Sequence, residues 1–151
     1  MGERLSDAIT IRRLHETDAD LAGIVDQIND APMETGPRFT VASLRNFLAD
    51  PKNVYLVATI EGRLAGALHA VRYLHPSGPW YLYIDEVDTA EPFRRQGVAT
   101  RLMMSVMAIA RDMGISEAWL GADDGNEAAH ALYRRLHPSE TEPGVIYTYR
   151  V

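Results

Sequence analysis

The sequence predicts an α/β (α+β) fold with a central mixed sheet flanked by helices, and three observations carry that reading. Residues 53–60 (NVYLVATI) and 63–74 (RLAGALHAVRYL) are strand-like runs either side of Glu61-Gly62, the signature of an antiparallel hairpin. Residues 81–113 read as a strand, a short turn and a long amphipathic helix, and another apolar run follows. Such a strand–helix–strand crossover brings in parallel pairing. Third, 151 residues fit a single domain, 1–151, able to bury about two thirds of its unfolded surface.

Along the chain, residues 8–14 (AITIRRL) form a short β-like run, and Thr17 is placed to cap a helix over TDADLAGIVDQI. Leu21, Ile24, Val25 and Ile28 share one face of that helix. Residues 29–39 hold two prolines and a glycine and read as a loop. Thr40 is a second N-cap, for TVASLRNFLAD, which Pro51 ends. Within the hairpin, Gly66 marks a bulge or a close backbone approach. HPSGP at 75–79 is a turn, and 80–89 (WYLYIDEVDT) is the next strand. The long helix places Val98, Leu102, Val106, Ile109 and Met113 on one stripe and stops at Gly114. SEAWLGA (116–122) is a strand, NEAAHALYRRL (126–136) a last helix, and VIYTYRV (145–151) alternates like a closing strand. The order is therefore β-α-α-β-β-β-α-β-α-β.

Composition narrows the function classes. No apolar run approaches the roughly 18 residues a membrane span needs, and MGERLSDAIT has no signal-peptide core. These features and the lack of cysteine make a cytoplasmic location the default expectation. The net charge of −6 speaks against a nucleic-acid surface and suits a cationic partner, although many acidic proteins use such charge for solubility alone. No metal site is expected, because His69, His75, His130 and His137 lack ligand spacing and 123–127 lacks a calcium-loop register.

The helix that begins near Gly97 is the first chemical signal. Its opening turn, Arg94-Arg95-Gln96-Gly97-Val98-Ala99-Thr100, leaves unpaired N–H groups at the positive end of a helix dipole, a ready anion site. Gly97 and Ala99 let a phosphate approach the main chain, and Arg94 and Arg95 add charge at the rim. Neither G-x-x-x-x-G-K-[ST] nor G-x-G-x-x-G is present, so neither a P-loop nor a Rossmann turn is being read. A surface helix start that happens to carry arginines is the plain alternative.

R-x-x-G-x-A between an apolar strand and a helix resembles the acetyl-CoA signature of the GNAT superfamily of N-acetyltransferases. Asn126, Ala129, Leu132 and Tyr133 likewise resemble its N-x-x-A-x-x-L-Y pattern, and the element order matches its fold. The resemblance implies acetyl-CoA as cofactor, held in a cleft between splayed strands. Residues 94–100 would then meet the pyrophosphate, main-chain groups of Val87 and Thr89 the pantetheine amides, and Asn126 and Ala129 the CoA-facing side of the last helix. It also implies that Tyr133 protonates the departing thiolate, a role suited to a phenol that stays protonated at neutral pH. His137-Pro138 departs from the family's glycine and aromatic residue, which leaves the path of 137–144 open.

An amine must be neutral to attack a thioester, so some group has to take its proton. Asp85, Glu86 and Asp88 interrupt an apolar strand, where charge is costly unless it faces a cleft. Glu86 is the first choice of base and Asp85 the second, on opposite faces by the strand period unless a bulge resets them. Surface pairing with an arginine is the alternative.

IDEVDTAEPFRRQGVAT and GADDGNEAAHALYRRL resemble, within that superfamily, the aminoglycoside 3-N-acetyltransferases. Their strand carboxylate falls on Glu86 and their acidic loop on Asp123, Gly125, Asn126 and Glu127. A drug bearing several ammonium groups needs a cleft lined by carboxylates, which Asp123, Asp124, Glu127 and Glu142 can supply. The resemblance thus implies an antibiotic-resistance acetyltransferase acting on the 3-amino group of a small polycationic amine. The same chemistry on a peptide or protein N-terminus, a polyamine or another small amine is the second reading. A non-catalytic acyl-CoA-binding regulator is the third. The C-terminal run also offers a strand edge to a second copy, so a homodimer is a further expectation.

Overall fold

The computed structural model describes residues 8–34 and 38–151. They divide into two compact units, the first ending at Gly121 and the second spanning Ala122–Val151.

The first unit is a five-stranded mixed sheet with helices on both faces. Its strands are β1 (Ile9–Arg13), β2 (Asn53–Ile60), β3 (Arg63–Leu74), β4 (Trp80–Thr89) and β5 (Glu117–Trp119), in the spatial order β1-β2-β3-β4-β5. Strands β1 to β4 pair antiparallel, and β5 lies parallel to β4 after the crossover through α3 (Val98–Asp112). The β2–β3 turn is Glu61-Gly62 as expected, both residues at positive φ (49° and 75°), which matches the twist of a tight hairpin.

Alternation along β2 and β3 sends Tyr55, Val57 and Ala67 to one face, where α1 (Leu21–Asp30) and α2 (Val41–Ala49) cover them. The expected stripe Leu21, Ile24, Val25 and Ile28 is buried there. Thr17 is not the cap of α1. The helix begins later, after Asp20, because Arg12 ties Asp20 down in a two-pronged bond (2.7 Å each) and also pairs with Asp18 at 3.0 Å. At α2 the expected cap is present as a capping box, with the Ser43 N–H donating to the Thr40 hydroxyl and the Thr40 N–H to the Ser43 hydroxyl, both 3.0 Å. Thr40→Ala is expected to cost about 1 kcal/mol in denaturant unfolding, and an unchanged midpoint would show that the cap adds nothing.

On the other face α3 lies across β1 to β4. Val98, Leu102 and Val106 are buried as expected, joined by Met103 and Ala110, whereas Ile109 and Met113 are only half-buried. The helix stops at Gly114 (φ 72°), where Gly114 N–H donates to Arg111 and Ile115 N–H to Ala110, the double bond of a Schellman motif. Gly66 fulfils both of its expectations. The β2–β3 register shifts beside it, and a Cβ there would lie 2.6 Å from the Asp88 carbonyl oxygen and 2.7 Å from Val98 Cγ1.

Two expected strands differ. Over 116–122 only three residues pair, as β5. The closing strand over 145–151 does not form, and Val145, Ile146, Tyr147 and Tyr149 are exposed. The alternation is present, yet a strand is stable only against a partner edge. The second unit contains one helix, α4 (Glu127–Arg135), and no strand.

Candidate active site

Strand β4 runs out of β5 partners early, and this opens the site. Only Tyr81, Leu82 and Tyr83 pair with β5, so Ile84 to Thr89 have no β5 partner on that side. On the other side they remain laddered to β3, with Val87 opposite Leu68 and Thr89 opposite Gly66. Main-chain groups along an unpaired edge must find other partners, and an extended amide chain suits them.

The same strand carries a bulge at Asp85. His69 is opposite Glu86 and Ala70 opposite Ile84, so Asp85 is the extra residue. The strict period of two is thereby broken, and Asp85 and Glu86 both reach His69 instead of parting to opposite faces. His69 Nε2 lies 3.3 Å from Glu86 Oε2 and 3.7 Å from Asp85 Oδ2. An ionised carboxylate only accepts, so the geometry selects the tautomer in which His69 donates from Nε2 to Glu86.

Burial shifts the titration of these groups. His69 is held between Tyr55, stacked at 5.9 Å, and Phe47, edge-on at 5.9 Å. That desolvation pushes its pKa down, against the pull of Glu86 and Asp85. Burial pushes Glu86 above the ordinary carboxylate range; His69 opposes the shift, while Asp88 and Asp85 add to it. Asp88 also rises through burial, with Glu34 reinforcing and Arg94 opposing. The Tyr55 hydroxyl is raised by burial and then by Glu86 and Asp88. Glu86 and Asp88 share a recess with Tyr55 and His69, and a cavity of about 140 Å³ between Phe39, Phe47, Tyr55 and His69 adjoins it. His69 and Tyr55 escaped the sequence reading because both lie in ordinary strand alternation. Only pairing register sets His69 opposite Glu86.

Past Thr89 the chain makes a short 3-10 turn, Glu91–Phe93, and enters the turn of residues 94–97 that leads into α3. Arg95 (φ 63°) and Gly97 (φ 84°) are both left-handed, which coils the turn tightly. No side chain caps α3, and its first bond is Arg101 N–H to the Gly97 carbonyl at 3.0 Å. The N–H groups of Val98, Ala99 and Thr100 thus precede the helical ladder. Arg94, Arg95 and Gln96 are exposed at its rim, and the Gln96 side chain donates to the Pro92 carbonyl at 3.3 Å. An uncapped helix start flanked by two arginines, beside an unpaired strand edge, fits a pyrophosphate joined to an extended amide chain.

In the second unit, Asn126 caps α4, accepting from the Ala129 N–H at 3.1 Å. Its side chain is thus engaged within the helix start, and Ala129 beside it is half-buried. Tyr133 is half-buried one turn further along α4. Asp123, Asp124 and Glu127 are exposed around the turn that leads into the helix, which His130 braces by its 2.9 Å contact to the Asp123 carbonyl. Glu142 is exposed on the segment after α4.

Comparison with known proteins gives this geometry a family. The acetyltransferase (GNAT) family model matches residues 21–137. The chain is 33% identical over 111 residues to the aminoglycoside N(6′)-acetyltransferase type 1 of Serratia marcescens, a match covering 70% of this chain and 76% of that protein. Among solved structures, an aminoglycoside acetyltransferase from an uncultured soil metagenomic sample, in complex with sisomicin, superposes with a TM-score of 0.84 at 20% identity. That match covers 98% of this chain and 99% of the other. The aminoglycoside N-acetyltransferase AAC(6′)-Iy in complex with CoA gives 0.75 at 19% identity, over 95% of each chain. The chain belongs to the GNAT family of acetyltransferases. It is an acyl-CoA N-acyltransferase that uses acetyl-CoA, with the five-stranded mixed sheet described above. Among the described residues, no helix is long and apolar enough to cross a membrane.

Proposed function

We propose that this enzyme acetylates an amino group of an aminoglycoside by direct transfer from acetyl-CoA, with Glu86 as the base. The observation that carries the chemistry is the Glu86 carboxylate, lifted by burial and oriented by His69, at the bulge where β4 loses its β5 partner. Acetyl-CoA supplies an acetyl thioester. Glu86, or Asp85 through water, takes the proton the acceptor amine loses as its C–N bond forms. Main-chain N–H groups of β4 near Val87 and Thr89 stabilise negative charge on the thioester oxygen. Tyr133 gives its phenolic proton to the sulfur as the C–S bond breaks, and residues 94–100 hold the pyrophosphate.

The acceptor class rests on the Serratia relative, on the acidic character of the chain and on the loop residues Asp123, Asp124 and Glu127, with Glu142 beyond them. The strand and loop strings imply the 3-amino group, whereas the relative's name carries the 6′ position. Mass and NMR analysis of the product separates these positions. Free-thiol release from acetyl-CoA with gentamicin, kanamycin and a short peptide as separate acceptors tests the class. Prompt release with the aminoglycosides, slowed about tenfold or more in Tyr133→Phe, is the expected result. Release with the peptide alone would discard the acceptor and keep the enzyme.

A further inference from the structure

On the α1/α2 face, the strands β3, β4 and β5 carry a row of aromatic rings that the chemistry above does not use. Tyr73, Val71 and His69 alternate along one face of β3, opposite Tyr81, Tyr83 and Glu86 respectively. Trp119 is opposite Tyr83 on the far side. The bulge at Asp85 is what returns Glu86 to the face of Tyr83. The rings are fixed to one another. Trp119 Nε1–H donates to the Tyr73 hydroxyl at 2.7 Å, the Trp119 and Tyr83 rings lie 4.4 Å apart at 33°, and Tyr73 meets Tyr81 edge-on at 5.8 Å. Tyr83 continues the row toward the carboxylates, standing two residues before Asp85 on β4, and its hydroxyl pKa is raised by burial and then by Asp85.

Trp119 is nonetheless half exposed (50%), and Tyr73 is 37% exposed. A large ring locked by a side-chain hydrogen bond and left open on its face is a platform that loses little entropy when something stacks on it. Carboxylates at one end of it give the occupant its charge. The C–H face of an amino-sugar ring is weakly positive and flat, and its ammonium groups are attracted both to aromatic faces and to carboxylates. A linear polyamine has the charge but no ring face.

We propose that the Trp119–Tyr83–Tyr73 shelf binds one ring of an aminated saccharide acceptor, with Asp85 taking an ammonium group of that ring. This rests on the acceptor class proposed above, and it names the residues that select a ring over a chain.

Two measurements test it. In steady-state kinetics of the full chain, Trp119→Ala is expected to raise the KM for kanamycin about tenfold or more, with kcat and the KM for acetyl-CoA within about twofold of wild type. A kanamycin KM within twofold of wild type, alongside wild-type turnover, overturns the shelf and leaves the functional reading standing. In the Trp80→Phe protein, Trp119 is the sole tryptophan and its emission reports on the shelf directly. Saturable quenching by kanamycin but not by spermine supports the proposal. An unchanged spectrum, or equal quenching by both, overturns it, even where wild type proves inactive on aminoglycosides and the functional reading has failed on its own. A shift from dimer to monomer on Trp119→Ala, by light scattering, would assign the shelf to a second copy and overturn it as well.

Discussion

Glu86→Gln is expected to lower kcat about 10²–10⁴-fold while leaving the KM for acetyl-CoA nearly unchanged. Glutamine keeps the shape and still accepts from His69 Nε2, 3.3 Å away in the wild type, but it cannot take a proton. The pH profile supplies the second readout. In the wild type the base works only when ionised, so activity rises with pH through the Glu86 pKa. Burial holds that pKa above the ordinary carboxylate range, with His69 opposing and Asp88 and Asp85 adding. In the Gln variant this limb of the profile is expected to vanish. Stability separates chemistry from folding. Because folding raises this pKa, ionised Glu86 carries a desolvation cost that is absent below the ordinary carboxylate pKa and fully present above the raised one. Glutamine removes that cost, so at neutral pH the variant is expected to be at least as stable as wild type. A variant that keeps more than about a tenth of wild-type kcat would move the base to Asp85 or to water.

Gly66→Ala is the second large effect, and it acts from within the sheet. The added methyl would meet the Asp88 carbonyl oxygen at 2.6 Å and Val98 Cγ1 at 2.7 Å. The first atom belongs to a laddered strand, and the second to a β-branched side chain with one favoured helical rotamer, so neither yields easily. An overpacking cost of about 1–3 kcal/mol is expected, roughly 3–10 °C in Tm for a chain of this size. Val98 is the first residue of α3, directly after Gly97, so relief of the clash displaces the anion turn. The KM for acetyl-CoA should therefore rise together with the loss of stability. A Tm within a degree of wild type would show that the sheet absorbs the methyl group without moving the turn.

Much of this was legible in the chain. The Glu61-Gly62 hairpin, the Thr40 cap, the limits of β4, the stop at Gly114 and the uncapped start at Gly97 follow from local rules: positive φ, capping chemistry and hydrophobic period. Local rules failed where a partner decides. Thr17 lost its cap role because Arg12, on β1, draws Asp18 and Asp20 to itself. VIYTYRV alternates like a strand, yet the unit that contains it offers no edge to pair with.

By itself, the sequence determined the order of the strands and α-helices as far as α4, the uncapped helix start after Gly97 and the place of Glu86 within β4, because each depends on residues close together along the chain. Tertiary structure alone decided that Asp85 bulges out of register, that Glu86 thereby meets His69, and that Trp119 joins Tyr73 across β4. Those three facts are matters of pairing between strands that lie far apart in sequence, and no period along one strand encodes its neighbour's register.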